Sequence, residues 1–251
     1  MREGMSNTRV VVLAAGKGTR MNSDIPKVLM PFHGKPMVQH LLASIQSSGV
    51  DSRPVVIVGY EAELIMKTLG GENDYVRQKE QLGTGHALQC AEPLLAGKAS
   101  DIIVLYGDHP FVKAETIAKL RSLHERETCV LSLLTSVVED FDEWRKPFYD
   151  FGRVIRDQNG DITAITELKD ATPEEREIRE VNPALYCFRA EWLWPNLKKI
   201  GNTNAKHEYY LTDLVRLAIE GGEKIASMDI SPLESIGVNT PEHLELAKEL
   251  A

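Results

Sequence analysis

No apolar run in this 251-residue chain approaches the roughly 20 residues that a bilayer-spanning helix needs. The opening MREGMSNTR has no apolar h-region, which argues against secretion and for a cytoplasmic protein led by a short flexible segment, residues 1–9. Cysteine is scarce as well. Cys90, Cys129 and Cys187 are odd in number, far apart and flanked by apolar residues, so buried thiols fit better than a disulfide frame or a zinc site. Internal repeats, low-complexity linkers and runs of like charge are all missing, which leaves residues 10–251 as a single domain. There are no hexapeptide repeats of the kind that build a left-handed β-helix. A formal net charge of −8 leaves no basic face for a nucleic-acid backbone.

What the chain does contain is concentrated between Val10 and Pro36. Five apolar residues, Val10 to Ala14, run into Gly16-Lys17-Gly18-Thr19-Arg20. A buried strand that ends in a glycine-rich turn presents backbone N–H groups to phosphate oxygens, and glycine lets the main chain come close to them. Lys17, Arg20, Lys27 and Lys35 stand here against Asp24 alone. A local basic loop in an acidic protein fits a small polyanion, and Arg20 has the planar fork suited to bidentate phosphate contact. A solvated surface turn is the plainer reading of the same residues. The run is no Walker A loop, since G-K-G-T lacks that spacing, and no dinucleotide fingerprint, since Met21 stands where a third glycine belongs.

Along the rest of the chain short apolar runs alternate with helix-period segments, the pattern of an α/β sheet with helices on both faces. Val55–Val58, Ile102–Tyr106, Val130–Leu134 and Ala184–Phe188 read as strands. Met37, Val38, Leu41 and Ile45 read as a helix stopped by Gly49. Ala87 to Leu95 reads as a helix disrupted by Pro93 near its end, and Leu211 to Gly221 as one with a glycine stop. Asn159-Gly160 inside the alternating stretch Gly152–Leu168 predicts a hairpin with a type I′ turn. Thr240-Pro241-Glu242 predicts the start of a final helix. Residues from about 140 to 199 are expected to form a small lobe.

Two further segments carry chemistry. Tyr106-Gly107-Asp108 places a carboxylate at the C-terminal end of a buried strand, where open α/β sheets bind ligands; read alone, Asp108 fits a turn or cap beside His109-Pro110 too. Gln78 to Ala87 reads QKEQLGTGHA. Its glutamines offer a donor and an acceptor to a base edge, and Gly83 and Gly85 would admit a flat ring, although a glycine-rich helix start explains the glycines alone.

The run L-A-A-G-x-G-T-R-M followed by P-K resembles the signature of the sugar-phosphate nucleotidyltransferases, and E-Q-L-G-T-G-H-A resembles an element of the bacterial UDP-N-acetylglucosamine pyrophosphorylases within that family. The resemblance spans Val10 to about Leu250. It implies a Rossmann-like fold with a mixed, mostly parallel sheet, and a small sugar-side lobe. It implies transfer of a uridylyl group from UTP to N-acetylglucosamine-1-phosphate with release of pyrophosphate. Leu13, Ala14, Ala15, Gly16, Gly18 and Thr19 then hold the nucleotide, with Tyr106 and Gly107, while Arg20 and Lys27 are catalytic. Gln78, Gln81, Gly83 and Thr84 inherit contacts to uridine. Asp108 and Asn239, the latter in a late G-V-N segment, inherit Mg²⁺. Gly152, Glu167 and Asn182 inherit the sugar, and Glu208-Tyr209-Tyr210-Leu211-Thr212-Asp213 a scaffold role. The sequence departs from the family at Pro183-Ala184, where Thr-Gly is common, and at His109, where a small aliphatic residue is usual. Partners on this reading are UTP and a sugar-1-phosphate, with no nucleic acid and no membrane. The rivals are the same reaction on another hexose-1-phosphate or nucleotide, and a non-catalytic nucleotide-sugar-binding regulator on the same fold.

Overall fold

In the computed structural model, which describes residues 7–204 and 207–251, the apolar run Val10–Ala14 lies inside the first strand, β1 (Thr8–Ala14). All five of its side chains are buried, as expected of a strand covered on both faces. Of the flexible lead expected at residues 1–9, residues 1–6 lie outside the described residues, whereas Thr8 and Arg9 belong to β1. Thr8 pairs with Asp101, and the Arg9 guanidinium bonds Asp51 at 2.9 Å and Asp74 at 3.1 Å. Those two carboxylates anchor the strand end that composition alone left as a tail.

The chain continues through a short hairpin, β2 (Pro31–Phe32) and β3 (Lys35–Pro36), into α1 (Met37–Ser48), β4 (Val55–Val58), α2 (Ala62–Leu69) and β5 (Asp74–Arg77). Then come α3 (Thr84–Gln89), α4 (Glu92–Leu95), β6 (Asp101–Tyr106), α5 (Ala114–Glu127) and β7 (Leu131–Val137). The second half holds β8 (Gly152–Arg156), β9 (Ile162–Thr166), α6 (Pro173–Arg176), β10 (Glu180–Asn182), β11 (Tyr186–Arg189), α7 (Ala190–Leu197), α8 (Asp213–Glu220), β12 (Ile225–Asp229) and α9 (Pro241–Leu250).

Ten of these strands form one sheet in the order β5-β4-β1-β6-β11-β7-β10-β8-β9, with β12 paired to β7. The run β5-β4-β1-β6 is parallel throughout. Following the pairings onward, β7, β8 and β12 share that direction, and β11, β10 and β9 oppose it. Alternate residues of β1 feed two cores. Val11 and Leu13 pack with Leu88, Leu193 and Leu214 of α3, α7 and α8, while Val10, Val12 and Ala14 pack with Leu41, Ile65 and Leu120 of α1, α2 and α5. Each fully buried aliphatic side chain contributes about 1.5–3 kcal/mol, so covering both faces stabilises the parallel half.

Two turns differ from their sequence reading. Pro93 stands in the first turn of α4, after the chain has already broken at Cys90 and Ala91, because proline suits a helix start better than an interior. In the β8–β9 hairpin only Gly160 of the loop has positive φ, at 87°, whereas a type I′ turn needs two such residues. The Asp157 side chain instead accepts from the N–H groups of Asn159 and Asp161, both at 2.9 Å, and closes a longer loop.

Arg153 of β8 is fully buried without a carboxylate partner. Its guanidinium donates to the carbonyls of Tyr149, Phe151 and Arg176 and lies 4.7 Å from the Phe141 ring and 5.2 Å from that of Tyr149. Burial lowers its pKa, yet each of its three nitrogens donates to a carbonyl and two aromatic rings lie near it. Arg153 thereby fixes the segment Tyr149 to Phe151 that leads into Gly152 at the start of β8.

His124 of α5 is also buried, with Nδ1 2.9 Å from Ser132 Oγ and Nε2 3.4 Å from Asp101 Oδ1. Burial by itself would lower its pKa, but Asp101, with Cys129 and Cys187, overrides that and lifts it from 6.5 to about 11. A raised folded-state pKa means a stabilising contribution that is full below about pH 6.5 and is lost as pH climbs through 11. The urea midpoint is expected to fall between pH 7 and pH 11, and His124→Gln to flatten that slope.

Between β10 and β11 the chain passes Pro183-Ala184, and Ala184 sits at φ 61°. The left-handed turn is kept although a Cβ has been placed in it, at about 1–2 kcal/mol of strain. Ala184→Gly is expected to raise unfolding stability by roughly 1 kcal/mol in urea titrations.

Candidate active site

β1 and β6 pair as neighbours although about 90 residues separate them, and the strand order turns back at β1, with β4 and β5 on one side and β6 on the other. Their C-terminal ends therefore open side by side, the place where such sheets receive ligands. Gly107 N–H donates to Leu13 O at 3.0 Å, and a Cβ on Gly107 would come within 3.0 Å of Val28 Cγ1. Gly107 is there for close packing of the two exits.

After Ala15 the loop reaches a single 3₁₀ turn, Thr19–Met21, which Met21 N–H closes on Gly18 O at 2.9 Å. Gly18 has φ 62°, and a Cβ there would lie 2.6 Å from Lys27 Cβ. Only glycine lets the loop fold onto the Lys27–Leu29 turn, and so brings Lys27 to the site. Gly16 is exposed, with open space where a Cβ would stand. The four basic residues of this stretch separate in space. Lys17 turns to the Tyr60 ring, 5.6 Å from its centroid, and Lys35 goes to the β2–β3 hairpin. Lys27 points inward, and Arg20, itself exposed, reaches in to Asn239.

They meet Asp108 and Asn239. Lys27 Nζ donates to Asp108 Oδ2 at 2.5 Å and to Asn239 Oδ1 at 2.9 Å, and Arg20 Nη2 donates to Asn239 Oδ1 at 3.1 Å. The backbone aligns the pair, because Val238 N–H donates to Asp108 O at 2.9 Å and Gly237 lies against the His109 ring. Burial, the largest single influence, would raise the Asp108 carboxyl, but the charge and hydrogen bond of Lys27, with His109 and a backbone hydrogen bond, together outweigh it and hold the pKa below the ordinary value. Burial lowers the His109 pKa, so the ring is neutral at pH 7.

The two oxygens converge on one cationic centre, which is the arrangement a hard divalent ion requires. Among the described residues no group of three or more His, Cys, Asp or Glu side chains gathers at one point. An ion held by Asp108 and Asn239 would draw its remaining ligands from substrate and water, the usual habit of Mg²⁺.

Two cavities flank this centre. One of 230 Å³ is lined by Leu13, Ala14, Ala15 and Gly16, by Gln78, Gln81, Gly83 and Thr84, and by Lys27, Tyr106 and Asp108. Gln78 is oriented by its surroundings, for its Nε2 reaches Gly83 O at 3.1 Å and His86 Nδ1 at 3.0 Å. With both amide hydrogens engaged, its remaining function is a carbonyl acceptor. The other cavity, also 230 Å³, is lined by Gly152, Glu167 and Asn182, with Tyr106, Asp108 and Asn239. Asn182 is held by the Tyr186 hydroxyl at 2.8 Å and by Ala184 N–H at 3.0 Å. Tyr106 and Asp108 border both cavities.

Gly83 and Gly85 have a use that composition did not disclose. A Cβ on Gly83 would lie 2.6 Å from Tyr209 O, and one on Gly85 would lie 2.3 Å from Ile200 Cδ1. Gly85 N–H donates to Tyr209 O and Tyr209 N–H to Leu82 O, both at 2.8 Å, and the Thr84 hydroxyl accepts from Leu211 N–H at 3.0 Å. Gly83 thus admits the backbone of Tyr209 and Gly85 the Ile200 side chain, and Gly83 also lines the first cavity. Within Glu208–Asp213, Tyr209 and Leu211 serve as scaffold, while Glu208 lines the first cavity and Thr212 the second. His109, Asp150, Phe151, Pro183 and Ala184 also border the second cavity. For His109 and Pro183-Ala184 the only sequence signal was that they depart from the family pattern.

Known proteins are similar to this chain. The chain is 44% identical over 96% of its length to a bifunctional protein GlmU of Exiguobacterium sp., and 41% identical over 97% to one of Brevibacillus brevis. It spans about half the length of these curated relatives, 52% and 51% respectively. Among solved structures, a Bacillus anthracis protein assigned as a glucose-1-phosphate thymidylyltransferase superposes with a TM-score of 0.78 at 20% identity, covering 97% of this chain and 95% of that one. A CMP:2-keto-3-deoxy-manno-octonic acid synthetase superposes with a TM-score of 0.70 at 18% identity, covering 98% of each chain. At these identities the superpositions show a shared Rossmann-like fold, as the motifs led one to expect. The model of the MobA-like NTP transferase domain matches residues 10–200, and the chain belongs to that family.

Proposed function

We propose that this chain is a Mg²⁺-dependent uridylyltransferase that joins UTP and N-acetylglucosamine-1-phosphate to give UDP-N-acetylglucosamine and pyrophosphate. The observation that carries the reading is the meeting of Arg20, Lys27, Asp108 and Asn239 where two cavities share Tyr106 and Asp108. A nucleotide in one cavity and a sugar phosphate in the other would bring their phosphates together beside Asp108.

The attacking group is already a phosphate anion, so no side chain has to serve as nucleophile or strong base. Placement and charge balance supply the catalysis. The loop N–H groups of Gly16, Gly18 and Thr19 hold phosphate oxygens. Arg20 and Lys27 balance the charge that develops on the α-phosphate and on departing pyrophosphate. Asp108 and Asn239 hold Mg²⁺, which when bound neutralises the triphosphate and polarises its α-phosphate. Gly152, Glu167 and Asn182 seat the sugar. Glu167 and Thr212 also border a polar cavity of 440 Å³, so the ring has room for a substituent such as N-acetyl.

The base preference follows from Gln78. An acceptor oxygen on a fixed amide suits the N3–H of uracil or thymine and faces the lone pair of cytosine N3 unfavourably. Discrimination of this kind is worth about 10⁴–10⁵ when a buried polar group would be left unpaired.

Pyrophosphate release is expected with UTP and N-acetylglucosamine-1-phosphate, with far less from CTP, and is expected to stop in EDTA. Activity untouched by the chelator refutes the metal assignment, and a preference for dTTP or another hexose-1-phosphate moves the substrate to a rival. Asp108→Asn keeps a side chain that can accept from Lys27, so the fold is expected to survive with kcat down by ~10²–10⁴. Near-wild-type turnover in that variant places the metal elsewhere.

A further inference from the structure

Lys27 occupies an unusual position for a residue whose task is to meet phosphate. Its ammonium reaches both proposed metal-holding oxygens at once, Asp108 Oδ2 at 2.5 Å and Asn239 Oδ1 at 2.9 Å. The Lys27 and Asp108 side chains are only 16% and 10% exposed, so the pair is largely withdrawn from water. The other nearby cation, Arg20, touches Asn239 alone, and His109 Nε2 stands 3.8 Å from Asp108 Oδ1. An ammonium and a divalent ion cannot share two oxygens at such distances.

We propose that Lys27 is the internal placeholder of the metal site, so that ion binding at Asp108 and Asn239 requires its ammonium to leave them for the phosphates of a bound nucleotide. The inference rests on the metal assignment above and concerns what keeps that site in order beforehand. Without a cation, Asp108 would be a buried carboxylate with no partner, which is costly. Lysine suits the part because its flexible four-carbon stem can swing, and the cavity it lines beside Ala14, Ala15 and Gly16 gives the ammonium a destination. The consequence is coupling. A polyphosphate that draws Lys27 away raises metal affinity, and by linkage a bound ion raises affinity for polyphosphate.

The test is titration of Mn²⁺ alone into nucleotide-free protein, read by calorimetry and by the electron paramagnetic resonance of free Mn²⁺. Lys27→Met is expected to bind Mn²⁺ at least tenfold more tightly than the unchanged chain. Arg20→Met removes an equal charge that touches only Asn239, and is expected to tighten binding less than threefold. Without metal, Lys27→Met is expected to melt several degrees lower than the unchanged chain and to recover on adding Mn²⁺. If that variant does not fold, Lys27→Gln takes its place. Equal tightening in the lysine and arginine variants, or none in the lysine variant, overturns the placeholder role. The metal assignment is read separately, by adding Asp108→Asn to Lys27→Met. Loss of the tightened site supports the assignment, and its survival overturns it.

Discussion

A single ammonium bonded to two oxygens ties together three stretches of chain that are otherwise remote. Lys27 comes from the loop after β1, Asp108 from the exit of β6 and Asn239 from the cap before α9. Each depends on structure behind it. Gly18 must adopt a left-handed conformation for Lys27 to approach, and Gly107 must lack a side chain for the β1 and β6 exits to lie together. Val238 must pair with the Asp108 carbonyl for Asn239 to face inward. The cavities on either side are arranged around this contact, and both include Asp108.

The two cavities are joined mechanically as well as spatially. Residues 82–85 clasp the backbone of Tyr209 and Leu211, and Thr212, next along the chain, borders the second cavity. The floor of one cavity and the rim of the other are thus one hydrogen-bonded unit. On the far side Arg153 performs the same service for the segment that ends at Gly152, with three carbonyls and two aromatic rings in place of an ion pair. A buried guanidinium without a carboxylate shows how far backbone acceptors alone can satisfy a charge.

Much of the parallel half was legible in the residues, because continuous apolar runs such as Val10–Ala14 and Val55–Val58 have one stable use in an α/β protein. Gly49 ended its helix in the left-handed conformation that glycine favours, Gly222 rather than Gly221 took that conformation after α8, and Thr240 capped the last helix. The antiparallel half was less legible. Its strands are short, and their pairing depends on which neighbours lie across the sheet. The loop at Asn159-Gly160 kept its hairpin but not its turn type, because Asp157 offered its side chain to two N–H groups. Gly83 and Gly85 show a related limit, for both lie against Tyr209 while Gly83 also lines the first cavity. A glycine announces that something comes close, and nothing in local sequence says whether that is a ligand or another length of main chain.

The sequence by itself determined the chemical inventory: a glycine-rich basic loop, an acid at a strand end, a pair of glutamines beside two glycines, and a local cluster of positive charge in an acidic chain. These follow from side-chain chemistry and local periodicity, which do not depend on distant partners. Tertiary structure alone decided that Lys27, and neither Lys17 nor Lys35, reaches Asp108, and that the Gln78 amide is tied to Gly83 and His86. Charge at neighbouring positions looks alike in sequence, but direction in space is set by packing between segments up to 219 residues apart.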